Sequence, residues 1–454
     1  MPQHLSGAKR TKILATAGLS LALTLGSASL CHAQDNYTAP PMGWDPWNAF
    51  RTEVSEARIM AVADTLVKSG LADAGYRYVN VDDGWWLKRR ADGRLIVRTS
   101  MFPSAVPSTA GGETSLRPFV DRLHGMGLKA GIYSDIGRNV CSQAWDPHSP
   151  NLPEGTVAER EVGSMDHQAQ DMHLLFGEWN FDFIKVDACG LADYTPDHAQ
   201  VRDGAYRAFG PYIVRGQPNP QDNARVEALY AGLNDAIKAV RPRGDYVLSI
   251  CAWGEAGVAG WANRYGTMWR TSPDITPHWE SMLHNFDSAL ANQTHAGAGH
   301  WNDPDMLEIG NGEFDADHLI EARAHLSLWA IINAPLLLGS DVTKWPQSLI
   351  DIASNREVIA IDQDPAGQIA VVVSQTRDTQ VIAKKLANGD MAIALVNRSD
   401  HPAKISIPRS KLGLTVTPER AKLRNAWTRQ TQTLPDIIDL SLLPHETVLY
   451  RIID

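Results

Sequence analysis

The chain has 454 residues, 44% of them apolar and 21% charged, with 42 basic and 52 acidic side chains and a formal net charge of −10. This composition excludes a disordered chain and a disulfide-dominated miniprotein, and it lacks the basic excess of a nucleic-acid binder. Tryptophan, at 14 residues, outnumbers both tyrosine at 11 and phenylalanine at 9. Most of these rings are expected in the core, although the same flat face suits stacking on sugars.

In chain order, the first segment stands apart from the fold. Lys9, Arg10 and Lys12 precede an apolar, Ala/Leu-rich run from Ile13 to Leu30, and Cys31-His32-Ala33 places small residues at the cleavage-recognition positions. Residues 1–33 therefore read as a secretory signal cut after Ala33, which predicts export to the periplasm or the exterior and no membrane attachment after cleavage. An uncleaved membrane anchor is the rival reading. Cleavage would remove three basic residues and take the net charge from −10 to −13. It would leave Cys141, Cys189 and Cys251, enough for one disulfide of unspecified pairing. Sequons stand at Asn36, Asn292 and Asn397.

From Pro40 to about Asp364 one pattern repeats: a short β-rich run ending in polar residues, then a helical stretch. The runs are Pro41–Trp44, Tyr76–Asp83, Leu128–Asp135, Phe181–Ala188 and Tyr246–Trp253, followed by the shorter Gly266–Ile275, His300–Asp303 and Leu336–Asp341. Helical spacing of apolar residues appears between them, as in Ser55–Ser69 and Arg225–Val240. Strand then helix, eight times, predicts an α/β fold, a (β/α)8 TIM barrel over residues 34–364. Beyond Asp364 the helical period disappears. Short runs at Ile369–Ser374, Gln380–Leu386, Met391–Asn397, Ala403–Ile407, Ala421–Asn425 and Thr447–Ile453, with a hairpin signal at Asn388-Gly389-Asp390, predict a C-terminal antiparallel β-sandwich over residues 365–454. Its expected role is packing, with carbohydrate binding as the alternative.

Barrels of this kind gather chemistry at the carboxyl ends of their strands. Asp82-Asp83 follows Val79–Val81, Asp187 ends Phe183–Val186, and Asp274 follows Met268–Arg270. A single Asp after a strand is as well explained as a helix cap or turn residue. That explanation does not cover Lys185, which shares a strand face with Asp187 because side chains alternate with period two. Two chemistries use several carboxylates in one cleft, metal hydrolysis and glycoside cleavage. None of the 15 histidines forms an H-E-x-x-H motif, and Asp303-Pro304-Asp305 reads as a rigid turn, so no metal and no cofactor is expected. Phosphate-cradling loops and G-x-S-x-G elbows are also missing. Glycoside cleavage needs two carboxyl groups across the anomeric carbon, partners for the hydroxyls, and an aromatic face. Trp44, Asp82, Asp83, Lys185, Asp187, Trp253, Arg270 and Asp274 supply that set.

The segments PPMGWDPWNAF (40–50), YVNVDDGW (78–85), GLKAGIYSDIG (127–137), FDFIKVDAC (181–189), SICAWG (249–254), MWRTSPDI (268–275) and HWNDPDMLEIGNG (300–312) resemble, in order, the motifs of glycoside hydrolase family 27, the α-galactosidase family of clan D. IDQDPAG and AKKLANGDMAIALVNRS, from 361 and 383, extend the resemblance into the β domain. The resemblance implies a (β/α)8 barrel followed by an antiparallel β domain. It implies Asp187 as nucleophile and Asp274 as acid/base. Asp82 and Asp83 would accept from the 4- and 6-hydroxyls, Lys185 and Arg270 would hold other hydroxyls, and Trp44 and Tyr133 would line the ring. Cys141 and Cys189 match the family's disulfide, with Cys141 at the substrate. Cys251 and Trp253 match the region meeting the 2-substituent, and Met306 a wall residue.

The implied activity is exo-acting, retaining release of terminal α-D-galactose from oligosaccharides or galactosyl polysaccharides. A bulky Trp253 favours a 2-hydroxyl over an acetamido group, and two short acids at 82 and 83 leave room for a 6-hydroxymethyl. α-N-acetylgalactosaminidase, β-L-arabinopyranosidase and isomalto-dextran cleavage are the alternatives within the family, and a galactoside-binding module is the non-enzymatic one. Assembly into a homo-oligomer is left open. Lys185 is expected to lower the pKa of Asp187, and a negative neighbour with partial burial to raise that of Asp274. Asp45-Pro46 and Gly84 depart from the family pattern. The stretches Ser142–Ser164 and Leu191–Asn223 look long, and both follow strand ends, which puts them on the active-site face.

Overall fold

The computed structural model describes residues 39–109, 112–414 and 420–454, so the signal-like segment and the sequon at Asn36 lie outside the described residues. Each of the eight predicted runs contains one strand of a single parallel sheet: Met42–Trp44, Tyr78–Asn80, Lys129–Asp135, Phe183–Asp187, Val247–Cys251, Met268–Arg270, Trp301–Asp303 and Leu336–Leu338. The eighth strand pairs with the first, Met42 opposite Leu336, which curls the sheet. Between the seventh and eighth strands Leu307 bridges the seam, its N–H donating to Leu337 O (2.7 Å) and its carbonyl accepting from Gly339 N (2.9 Å). The seventh strand stops after Asp303 because Pro304 has no N–H to add to a ladder. Covered by helices outside and side chains inside, the strands are buried on both faces, which is why they read as near-continuous apolar runs. Gly43 is dictated by this crowding, since a Cβ there would lie 2.3 Å from Tyr78 O on the neighbouring strand.

Helix Glu56–Lys68 starts where the sequence says, with Ser55 Oγ accepting from Arg58 N (3.3 Å). Helix Pro220–Val240 begins earlier than its apolar period predicts. Asn219 caps it and Pro220 opens it, and both are start signals independent of periodicity. A hairpin of Trp86–Arg89 and Leu95–Val97 follows the second strand and is absent from the sequence reading. Its turn contains Asp92-Gly93, with Gly93 at φ +88°, a signal that could have revealed it.

After the barrel, six antiparallel strands form a sheet in the order Val371–Gln375, Thr379–Lys385, Met391–Asn397, Thr447–Ile453, Lys422–Asn425, Thr431–Thr433. Ala403–Pro408 pairs with Ile437–Leu442 in a second, two-stranded layer. The strands at 431 and 437 are short or half exposed, and the sequence reading lacks them. Helix Leu319–Ile331 packs against the strands from Thr379, Met391 and Thr447, and it is buried nearly all round. Buried Lys384 reaches across, donating to Ala330 O (2.9 Å), Ile361 O (2.7 Å) and Asn333 Oδ1. The sequon asparagine Asn397 is buried, its amide donating to His401 O (2.8 Å) and Leu443 O (2.7 Å), so it offers no open acceptor for a glycan. Among the described residues no helix is long and apolar enough to cross a membrane.

Candidate active site

The register of the central strands builds the site. Tyr133 pairs with Lys185 and Lys185 with Ser249, and in the next inward-facing row Asp135 pairs with Asp187 and Asp187 with Cys251. Residues two apart on a strand share a face, so Tyr133, Lys185 and Asp187 converge. Tyr133 OH donates to Asp187 Oδ2 (3.0 Å) and Ala188 N to Asp187 Oδ1 (3.0 Å), which fixes the carboxylate plane. Lys185 Nζ donates to Asp82 Oδ2 (2.9 Å) and lies 5.7 Å from the centre of the Tyr133 ring. Asp83 accepts from Ser142 N (2.8 Å) and Ser142 Oγ (2.7 Å). Cys141 and Cys189 form a disulfide across the loops after the third and fourth strands. The loops meet backbone to backbone beside it, since a Cβ on Gly190 would fall 2.7 Å from Gly137 Cα.

These groups open into one cavity of about 620 Å³. Asp82, Asp83, Tyr133, Lys185, Asp187 and Asp274 line it, with Cys141 and Trp253. Asp274 enters from beyond the sixth strand, 63% exposed, its Oδ1 accepting from Arg270 (3.1 Å), which also pairs with Asp305 (3.0 Å). Asp303 and Asp305 form the expected turn, with Asp305 N donating to Asp303 Oδ1 (2.8 Å) beneath Arg270.

The electrostatics reverse the expected order of the two acids. Burial raises Asp187 to about 6, more than Lys185 lowers it, and the charge of Asp274 adds to the rise. Lys185 is the strongest influence pulling Asp187 down, but its ammonium is also hydrogen-bonded to Asp82 and faces Asp45, and it does not offset the burial. For Asp274 the surrounding walls push upward, but Arg270 and Lys185 pull harder, and the carboxyl sits below its usual range. Asp83 is raised to about 7, by burial first.

The family profile described as Alpha galactosidase A matches residues 39–210 and 225–364, and that described as Alpha galactosidase C-terminal beta sandwich domain matches 376–452. The chain belongs to the α-galactosidase family. It is 34% identical to an alpha-galactosidase of Oryza sativa subsp. japonica over 90% of this chain and 84% of that one. It is 31% identical to alpha-galactosidase A of Cellvibrio japonicus, covering 98% of this chain and 99% of the other. The crystal structure of alpha-galactosidase I from Mortierella vinacea superposes with a TM-score of 0.75 at 26% identity, over 93% of this chain and 98% of that chain.

Four residues matched to the family's binding positions do not line the cavity of this α-galactosidase family member. Trp44 is fully buried in the barrel wall, its Nε1 donating to Ser340 O (2.8 Å), and Trp47, three residues on in the same segment, supplies the aromatic wall instead. Cys251 lies beneath the surface with its thiol pushed up by burial, its Sγ accepting from Arg270 at 3.7 Å. Arg270 is likewise enclosed, its charge committed to Asp274 and Asp305. Met306 packs against Gly339, where a Cβ would meet its Sδ at 2.5 Å. The sequence reading missed Trp47, Arg51, Trp145, Asp146, Arg215 and Glu255, all of which line the cavity. Trp145, Asp146 and Arg215 come from the two long stretches, whose expected position on the active-site face is borne out.

Proposed function

We propose that this chain is an exo-acting, retaining α-galactosidase in which Asp187 is the nucleophile and Asp274 the acid/base. The observation that carries the reading is that two carboxylates from separate strand ends line one cavity, one fixed by Tyr133 and Ala188, the other facing solvent on Arg270. An Asp187 oxygen attacks the anomeric carbon as the glycosidic bond breaks, and the Asp274 proton goes to the leaving oxygen. Asp274, now ionised, takes a proton from water, and that water displaces Asp187 from the same face the aglycone left. Asp82 and Asp83 accept from the galactose hydroxyls, Lys185 donates, and Trp47 supplies the apolar face. Trp253, with Arg215 stacked 4.4 Å from its ring, fills the space an acetamido group would need, which favours galactosides. The substrates are α-galactosyl oligosaccharides or polysaccharides. Export by residues 1–33 accords with the Cys141–Cys189 bridge, since disulfides persist in oxidising compartments.

Proton NMR of p-nitrophenyl α-galactoside hydrolysis tests the reading: α-galactose appears first and mutarotates later. Early β-galactose would show single displacement, and no release of nitrophenol would leave a binding module. The N-acetylgalactosaminide and β-L-arabinopyranoside analogues are expected to react more than about tenfold more slowly.

The pH profile follows from the acid pair. Turnover needs Asp187 ionised and Asp274 protonated, so the dyad must hold one proton. In the empty cavity that proton rests mainly on Asp187, whose carboxyl sits at about 6, and it is lost above that pH. The expected kcat/KM profile therefore has an acidic plateau and falls as pH rises through about 6. A bound galactoside excludes water from Asp274 and raises it, so the alkaline limb of kcat lies higher than that of kcat/KM. An alkaline optimum for kcat/KM would contradict an upper titration of the acid pair at about 6.

A further inference from the structure

Asp82 and Asp83 are adjacent in sequence, but they are held from different directions. Asp82 Oδ1 accepts from Asp83 N (2.8 Å) and Asp82 Oδ2 from Lys185 Nζ (2.9 Å), both groups at the strand ends of the barrel itself. Asp83 is held from outside, by the loop after the third strand. Ser142 N donates to its Oδ2 (2.8 Å) and Ser142 Oγ to its Oδ1 (2.7 Å), so one residue engages both carboxylate oxygens. On the other side Gly84 turns the chain away at φ +116°, where a Cβ would lie 2.6 Å from Thr52 O, and it has no side chain to brace the acid.

Ser142 is itself firmly placed. Cys141 before it is bonded to Cys189. Gln143 after it, fully buried, accepts from Val140 N (3.0 Å) and Asn139 Nδ2 (3.1 Å) and donates to Arg160 O (2.9 Å). Tyr194 OH, from the loop after the fourth strand, donates to Val140 O (2.6 Å). Ser142 is 2% exposed and stands behind the cavity wall, whereas Asp83 and Cys141 form part of that wall. It therefore reaches a bound sugar only through Asp83. A carboxylate with both oxygens pinned keeps its remaining lone pairs in fixed directions, and a fixed acceptor is what separates one hydroxyl pattern from another. The same bonds favour the ionised acceptor: burial raises Asp83 to about 7, and both bonds from Ser142 oppose that rise.

We propose that Ser142 is a positioning residue for recognition of the galactose 6-hydroxyl, holding Asp83 so that its remaining lone pairs accept from that group. The loop after the third strand then takes part in choosing galactosides over sugars that lack a 6-hydroxyl. This rests on the α-galactosidase reading above, in which Asp83 accepts from a galactose hydroxyl.

The test compares kcat/KM for p-nitrophenyl α-galactoside with that for its 6-deoxy analogue, p-nitrophenyl α-D-fucoside, which keeps the leaving group and every other ring hydroxyl. The unmodified protein is expected to prefer the galactoside by about 10²-fold or more. Ser142→Ala is expected to lower that ratio by about tenfold, through loss on the galactoside, because one hydrogen bond to a charged group is gone. In an Asp83→Ala background the ratio is already low, and adding Ser142→Ala is expected to change it by less than about twofold, since the residue acts through the acid. Equal losses on both substrates in Ser142→Ala, or a further fall of about tenfold in the Asp83→Ala background, overturn the positioning role and leave the catalytic reading standing. An unmodified protein with no preference between the two sugars overturns Asp83 as the 6-hydroxyl acceptor, and the proposal with it. An unmodified protein inert towards both overturns the α-galactosidase reading itself.

Discussion

Replacing Asp187 with Gly is expected to lower kcat on p-nitrophenyl α-galactoside by about 10⁴-fold or more, since both chemical steps pass through this oxygen. The loss is specific because the nucleophile's neighbours remain. Tyr133 OH (3.0 Å) and Ala188 N (3.0 Å), which orient the carboxylate, stay in place, and Lys185 stays on Asp82 (2.9 Å). Azide can enter the space left on that face. It is expected to restore part of the rate on an activated galactoside and to give β-galactosyl azide, one displacement with inversion. Retention of full activity in the Asp187→Gly variant, or an α-azide product, would assign the nucleophile elsewhere.

Asp274→Gly should show a different signature, because its first role depends on the leaving group. A leaving group that needs protonation, such as the glucose of melibiose, is expected to lose about 10²–10⁴-fold in kcat/KM, whereas α-galactosyl fluoride, which departs with far less help, loses much less. Azide attacks the galactosyl-enzyme still formed on Asp187, so the product is the α-azide, the opposite anomer from the Asp187 variant. The variant also removes the charge that helps raise Asp187, and it frees Arg270 from its 3.1 Å contact. Asp187 should then titrate below about 6, which the pH dependence of galactosyl-enzyme formation from the fluoride would read. Equal losses for good and poor leaving groups would rule out proton donation by Asp274.

The barrel was legible because its information is local and repeated. Each of the eight runs carries its own apolar pattern, and each strand falls inside its run. The β layer was legible in outline, but Thr431–Thr433 and Ile437–Leu442 have too few buried positions to alternate clearly. Within the site, Asp82, Asp83 and Asp187 were readable as acids at strand ends and Lys185 because strand alternation puts it on the face of Asp187, whereas Tyr133 was legible only through the family resemblance. Trp44 and Trp47 show where that logic stops. Both lie in one short segment, one ending a strand and one in the helical turn after it. Which ring meets the cavity depends on the path of the chain over the barrel rim.

The sequence by itself determined the alternation of strands and helices, the acids at the strand ends and the membership of a family, since these follow from periodicity and from residue types at fixed spacing. Only the tertiary structure decided which acid holds the proton. The burial of Asp187 and the nearness of Arg270 and Lys185 to Asp274 depend on distances between strands remote in sequence, and they push Asp187 up and hold Asp274 down. The same holds at the cavity mouth, where Trp145, the Asp193–Arg215 pair and Trp253 come from three separate loops and meet only when the barrel brings them together.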